Sequence, residues 1–252
     1  MKDVNYNVAY DYIRKRILNA EFGAGRPLMA NLLALEIGLS RTSVREALRQ
    51  LEVDGLVSIR PHLGARVKTM DIRELRDLCE MRLALESHAA GLAARNRTAP
   101  DLQEIKFALE VMRGLTDRIL AAEDPQPLTK ELMDADVRFH IAIMSAAKNE
   151  LIKKEILRLH LINRIVAGAF SKLASPEGTA LEKEERNHRC RGWMVSHEAI
   201  YNAIARQDSA AAKAEMEQHI QGIIDNRLRH LAQTQEAGAA RKLTEEERVY
   251  VN

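Results

Sequence analysis

The chain has 252 residues, 46% hydrophobic and 4% aromatic, with 38 Lys and Arg against 36 Asp and Glu. That is long for one domain and comfortable for two, apolar enough for ordinary cores, and too nearly neutral for a nonspecific polyanion coat. Two cysteines, Cys79 and Cys190, make neither a disulfide framework nor a zinc-knuckle spacing, and no stretch has the pattern of an export signal or a membrane span, so the expected setting is cytoplasmic.

The charge is uneven. Residues 1–70 hold eleven Lys and Arg against seven Asp and Glu, and the remainder holds 27 against 29. In chain order, a first helix is predicted over residues 8–19, with Val8, Tyr12, Ile13 and Ile17 on its inner face, and Gly23 to Pro27 ends it. A short helical pattern through Leu32, Leu33, Ala34 and Ile37 stops at Gly38-Leu39. The stretch GLSRTSVREALRQLEVDG then predicts a capped amphipathic helix, with Ser40 as N-cap and Gly55 as the left-handed stop. Val44, Ala47, Leu48 and Leu51 recur at three- and four-residue spacing and make an apolar stripe for burial. Arg41, Arg45 and Arg49 are four apart on another face, with Thr42 and Ser43 in the first turn. Two helices joined by a tight glycine turn, the second presenting such a face, predict a helix-turn-helix. Residues 56–60 and 65–67 read as strands around the turn Pro61-His62-Leu63-Gly64, a hairpin whose tip carries Arg60, His62 and Arg66 toward a phosphate backbone.

Over residues 8 to 68, and most closely in LSRTSVREALRQLEVDGLVSIRPHLGARV, the chain resembles the GntR superfamily of bacterial transcription regulators. The resemblance implies a winged helix-turn-helix that binds double-stranded DNA as a homodimer on a palindromic operator. It also implies recognition-helix contacts from Arg41, Thr42, Ser43 and Arg45, whose face Arg49 continues by its spacing, and wing contacts from His62 to Gly64. Where the family often has a Glu-Arg pair at the head of its second helix, this chain has Ala30-Asn31, which puts Asn31 at a DNA-contact position. Ser43 stands where a proline is frequent.

Beyond residues 69–71 the pattern becomes entirely helical. The organisation predicted is a winged helix-turn-helix over 1–69, an all-α bundle over 70–235 and a polar tail over 236–252, a mainly α protein with one small β-hairpin. Helices are expected at about 71–96, 100–121, 127–147, 149–172, 182–207 and 208–234, with Asp71 as an N-cap and with breaks at Pro100, Pro125 to Pro127, Pro176 to Gly178 and Gln207-Asp208.

Asp136 and His140 are four apart and so project from one face of a helix, beside Phe139 and Ile143 rather than with the charges. His197 and His219 lie in apolar helical contexts further on. Three histidines and a carboxylate from three helices of a bundle make a candidate site for a divalent ion such as Zn, Ni or Mn; satisfied core histidines are the alternative. Residues 71 to 232 resemble the FCD effector-binding domain of one GntR branch, and this resemblance implies that Asp136, His140, His197 and His219 ligate a metal at the base of a central cavity. The other histidines, His62, His88, His160, His188 and His230, do not fit that pattern. Arg82 matches an arginine that holds an effector carboxylate, a task suited to a guanidinium fork, although an ion pair with Glu86 one turn on is equally consistent with the sequence.

The resulting expectation is a ligand-responsive regulator, and by resemblance a repressor released by a small carboxylate. A metal-dependent enzyme and a pure metal-ion sensor are the alternatives. The enzyme is disfavoured because no separate general base, phosphate loop or nucleophile elbow accompanies the ligands, and Glu198 points away from the face of His197.

Overall fold

A computed structural model describes residues 2–19, 21–61, 63–171 and 180–225, which hold nine helices and a three-stranded sheet. The first part comprises α1 (Lys2–Leu18), β1 (Pro27–Leu28), α2 (Ala30–Ile37), α3 (Arg41–Val53), β2 (Val57–Arg60) and β3 (Gly64–Val67). Ser40 starts α3 with an extended backbone and accepts a hydrogen bond from the Ser43 amide at 3.1 Å. Gly55, at φ +80, ends it, so that the Leu56 amide reaches back to the Leu51 carbonyl at 2.9 Å. Between these ends Val44, Ala47, Leu48 and Leu51 are buried, and α3 lies against the buried Ala9, Ile13 and Ile17 of α1. A phenol secures the same pair of helices, Tyr10 Oη donating to Asp54 Oδ2 at 2.6 Å.

Gly38, at φ +74, makes the turn between α2 and α3, as the sequence predicts. The sheet has the order β1-β3-β2 with every pair antiparallel, and the hairpin register sets Val57 opposite Val67 and Arg60 opposite Gly64. Strand β1 is absent from the sequence expectation because two residues carry no periodicity; Pro27 fits there because the strand is at the edge.

The remaining helices are α4 (Ile72–Asn96), α5 (Ala99–Ala121), α6 (Gln126–Ala146), α7 (Glu150–Ser171), α8 (Ala180–Ala205) and α9 (209–225). They follow the predicted spans closely. Asp71 and Glu74 form a reciprocal capping box at the head of α4, and Thr98 and Asp101 form another at the head of α5. The 236–252 tail and the last residues of the predicted final helix lie outside the described residues, as do the side chains of Asn163 and Arg164.

Helix α4 is the centre of this body, packing against α6, α7 and α8. Arg97, just past its end, donates to the last carbonyls of α8, Nε to Ile204 at 2.9 Å and Nη2 to Ala205 at 2.6 Å. The Ile204 carbonyl also takes the Gln207 amide at 3.1 Å, and a cation at the last carbonyls of a helix complements its dipole. Ser209 Oγ, at the start of α9, donates to the Gly91 carbonyl at 2.8 Å. The turn between α8 and α9 is thereby held on α4, which fixes how the histidines of both helices approach its buried face. Among the described residues no helix is long and apolar enough to cross a membrane.

Replacing Leu51, which is fully buried between α3 and its neighbours, by alanine is expected to destabilise the protein by about 2–5 kcal/mol through lost burial and a residual cavity. Urea unfolding followed by circular dichroism would show this as a lower midpoint with an unchanged slope.

Candidate metal centre and nucleic-acid interface

Asp136 and His140 come from α6, His197 from α8 and His219 from α9. One potential ligand atom from each lies within 4.8 Å of all the others. The three histidines are buried, and the Asp136 side chain, 24% exposed, marks the side on which the cluster meets solvent.

Each imidazole is held by its Nδ1. His140 Nδ1 lies 2.7 Å from Glu86 Oε2, and a carboxylate can only accept, so this nitrogen carries the proton. His197 Nδ1 donates to the Trp193 carbonyl at 2.7 Å. Ser196 Oγ donates to the same carbonyl at 2.7 Å, which leaves its oxygen to accept from His219 Nδ1 at 2.9 Å. All three Nε2 atoms are therefore the ones turned toward the common point. His197 Nε2 is 2.9 Å from Asp136 Oδ1 and His140 Nε2 is 3.6 Å from it, while His140 Nε2 and His219 Nε2 have no hydrogen-bond partner. A buried nitrogen without a partner is costly in a finished core. Three imidazoles oriented through Nδ1, with Nε2 atoms and a carboxylate oxygen converging, match the donor set and outer shell of a borderline divalent cation such as zinc.

The electrostatics differ across the set. Burial lowers the His219 pKa to about 2, with His197 and His140 adding to the effect, so that this imidazole is neutral and its Nε2 lone pair is available. Burial acts the same way on His140, but the carboxylates of Glu86 and Asp136 outweigh it and raise that pKa to about 9. Burial would raise both carboxylates; for Glu86 it is overcome by Arg82, His140 and His160, and for Asp136 by His140 and His197, which hold both well below the usual carboxylate range.

Two participants carry no spacing signal that ties them to the histidine cluster. Glu86, fully buried on α4, accepts from His140 and also from Arg82 Nε at 2.7 Å. His160 on α7 places Nε2 at 3.2 Å from the same carboxylate, yet without the alignment of a hydrogen bond. Of the two readings of Arg82, the ion pair with Glu86 is the one the structure holds, in a buried form. Glu198 is turned to α5, where it accepts from Arg113 at 2.8 Å, so it supplies no base to the cluster.

In the first part of the chain, Arg41, Thr42, Arg45 and Arg49 of α3 are exposed on the side away from the buried stripe. Ser43 is a correction to the predicted DNA-reading set. It is buried, and its hydroxyl sits 2.9 Å from that of Ser40, so it completes the helix cap instead of facing outward. Asn31 is exposed in the first turn of α2, whose N-cap residue Met29 offers no side-chain acceptor, so first-turn amides are left for an anion. On the hairpin Arg60 is exposed and Gly64, at φ +75, opens β3; Arg66 is tethered by a hydrogen bond to the Gly25 carbonyl at 3.2 Å. His62 lies outside the described residues.

The FCD domain matches residues 77–222, and the family described as bacterial regulatory proteins, gntR family, matches residues 5–67. Over 83% of the chain the sequence is 29% identical to the HTH-type transcriptional regulator LutR of Bacillus subtilis (strain 168), covering 94% of that protein. It is 27% identical over 83% of the chain to a probable D-xylose utilization operon transcriptional repressor of Paenarthrobacter nicotinovorans, 83% of which is covered. The fold is similar to that of E. coli McbR/YncC, with a TM-score of 0.66 at 20% identity, covering 89% of this chain and 98% of that one.

Proposed function

Because the chain belongs to the GntR family of bacterial regulatory proteins and carries an FCD domain, we propose that this transcription regulator is a metal-dependent sensor of a small carboxylate. Its DNA-binding part is residues 1–69 and its sensing part residues 70–235. The observation that carries the reading is the convergence of three Nε2 atoms, each with its Nδ1 already tied. Asp136, His140, His197 and His219 would hold the ion, and Zn, Ni or Mn are the candidates, the imidazole-rich set favouring the first two. A bound ion there supplies a Lewis-acidic position for the oxygens of an acidic ligand. Such a ligand enters on the Asp136 side and comes under the charge of Arg82, which is within electrostatic reach of both Asp136 and Glu86.

DNA is read by Arg41, Thr42, Arg45 and Arg49 in the major groove, with Asn31, Arg60 and the wing turn at His62 and Gly64 against phosphates. A homodimer places two such helices on an inverted repeat. Ligand binding changes operator affinity by a coupling of about 1–3 kcal/mol, the usual range for allosteric regulators. We assign the sign as repression relieved by ligand, supported by the name of the Paenarthrobacter relative. A pure metal-ion sensor is the competing reading, and it requires that small acids have no effect on the metal-loaded protein.

Selection from a random duplex library with the purified protein should enrich inverted repeats. Arg45→Ala is expected to abolish that enrichment while leaving zinc uptake unchanged, and His219→Ala to lose zinc uptake while retaining enrichment. Enrichment by Arg45→Ala at the wild-type level would remove α3 as the reading helix. A second expectation concerns protons. His140, with its pKa at about 9, must release a proton to ligate through Nε2, so apparent zinc affinity should rise about tenfold per pH unit up to about 9 and level off above it. Titration calorimetry at pH 7 in buffers of different ionisation heat reads the release directly, and buffer-independent heats would contradict it.

A further inference from the structure

Helix α7 has two faces with different neighbours. His160 and Ile162 are two residues apart, which on a helix puts them on nearly opposite sides, whereas Arg158 and Ile162 are four apart and share one. On the first side His160 is buried, its Nε2 3.2 Å from Glu86 Oε1 and its ring 5.5 Å from that of His140. On the second side Ile162 meets Gly55, so closely that a Cβ there would lie 2.7 Å from Ile162 Cδ1 and 4.0 Å from Arg158 Nη1. Gly55 follows Asp54, the C-cap of α3, whose carboxylate accepts from Tyr10 at 2.6 Å and Gln50 at 3.1 Å and draws on the charge of Arg158. Helix α1 also runs against α7.

We infer that α7 links the metal centre to the DNA-reading helix. Glu86 relays the position of His140 to His160 on one face of α7, and Ile162 with Arg158 sets the end of α3 on the other. This rests on the metal reading proposed above. The imidazole of His140 is rigid, so a change at Nε2 is a change at Nδ1, and Nδ1 is bonded to Glu86. Glu86 is buried and braced by Arg82 from its own helix, so His160 is the neighbour that adjusts. A helix moves as a unit, and the contact at Gly55 has no slack, so a shift of α7 has to displace the end of α3 or open a gap. His160 and Ile162 are thus positioning residues: neither lies on α3, and His160 meets the centre through Glu86 and through its ring against that of His140.

Hydrogen–deuterium exchange of the full chain, compared in excess zinc and in chelator, tests the link without knowledge of operator or effector. Wild-type protein should show slowed exchange at 136–140 and 216–220 on adding zinc, together with a several-fold change at 52–57. In His160→Gln and in Ile162→Ala the first two segments should still slow, and the change at 52–57 should be lost. A wild-type response confined to 136–140 and 216–220 overturns the link, and so does an undiminished response at 52–57 in both variants. No response at 136–140 or 216–220 overturns the metal reading itself and the link with it. The wild-type comparison decides the matter even if a variant fails to fold.

Discussion

Four imidazoles and the Glu86 carboxylate are buried together between α4, α6, α7, α8 and α9, with the Asp136 carboxylate at their edge, and a core cannot hold such groups unless each finds a partner. Most do. Glu86 is satisfied by Arg82 and His140, and one main-chain carbonyl, that of Trp193, orients His197 directly and His219 through Ser196. His160 Nε2 is left unpaired beside Glu86, and the Nε2 atoms of His140 and His219 are left unpaired together beside Asp136. The fold spends its internal hydrogen bonds on presenting these nitrogens rather than on pairing them with one another, and a divalent cation is the partner whose chemistry fits them all at once.

The surrounding architecture serves that placement. Asp136 and His140 need only the pitch of α6, but His197 and His219 depend on how α8 and α9 are seated on α4, which Arg97 and Ser209 determine far from the cluster. The same α4 supplies Glu86. Helix α3 is built on the same logic at smaller scale: Ser40 and Gly55 set its ends, α1 takes its apolar stripe, and Arg41, Arg45 and Arg49 are exposed. A short run of contacts through α7 lies between the cluster and the end of α3, and it is the route that the proposed coupling takes.

Much of this was legible in the residues. The helix boundaries follow from Asp71, Pro100 and Pro125, whose capping and ring chemistry act locally, and the predicted recognition helix follows from Ser40, the Val44 to Leu51 stripe and Gly55. Within the cluster only Asp136 and His140 announce themselves by spacing; His197 and His219 entered as candidates by their apolar helical contexts, and resemblance to the FCD pattern joined them to the pair. Glu86 and His160 were missed, because the sequence separation between Glu86 and His140 is set by packing between helices, which no local period records. The i,i+4 relation of Arg82 to Glu86 was visible, but spacing alone does not say that the pair is buried. Ser43 was misassigned for a related reason: a hydroxyl in the first turn of a helix suits a base contact and a cap equally, and the inward rotation that decides between them is a tertiary fact. Strand β1 was too short to show a pattern.

The measurement that bears most directly on the central claim is zinc K-edge X-ray absorption of the protein after one equivalent of zinc is added. The account predicts a first shell of three imidazole nitrogens and carboxylate or water oxygen at about 2.0–2.2 Å, with outer-shell scattering from the imidazole rings. A shell of oxygens alone, or one containing sulfur from Cys79 or Cys190, would show that the ion sits elsewhere and that the converging histidines are not its site.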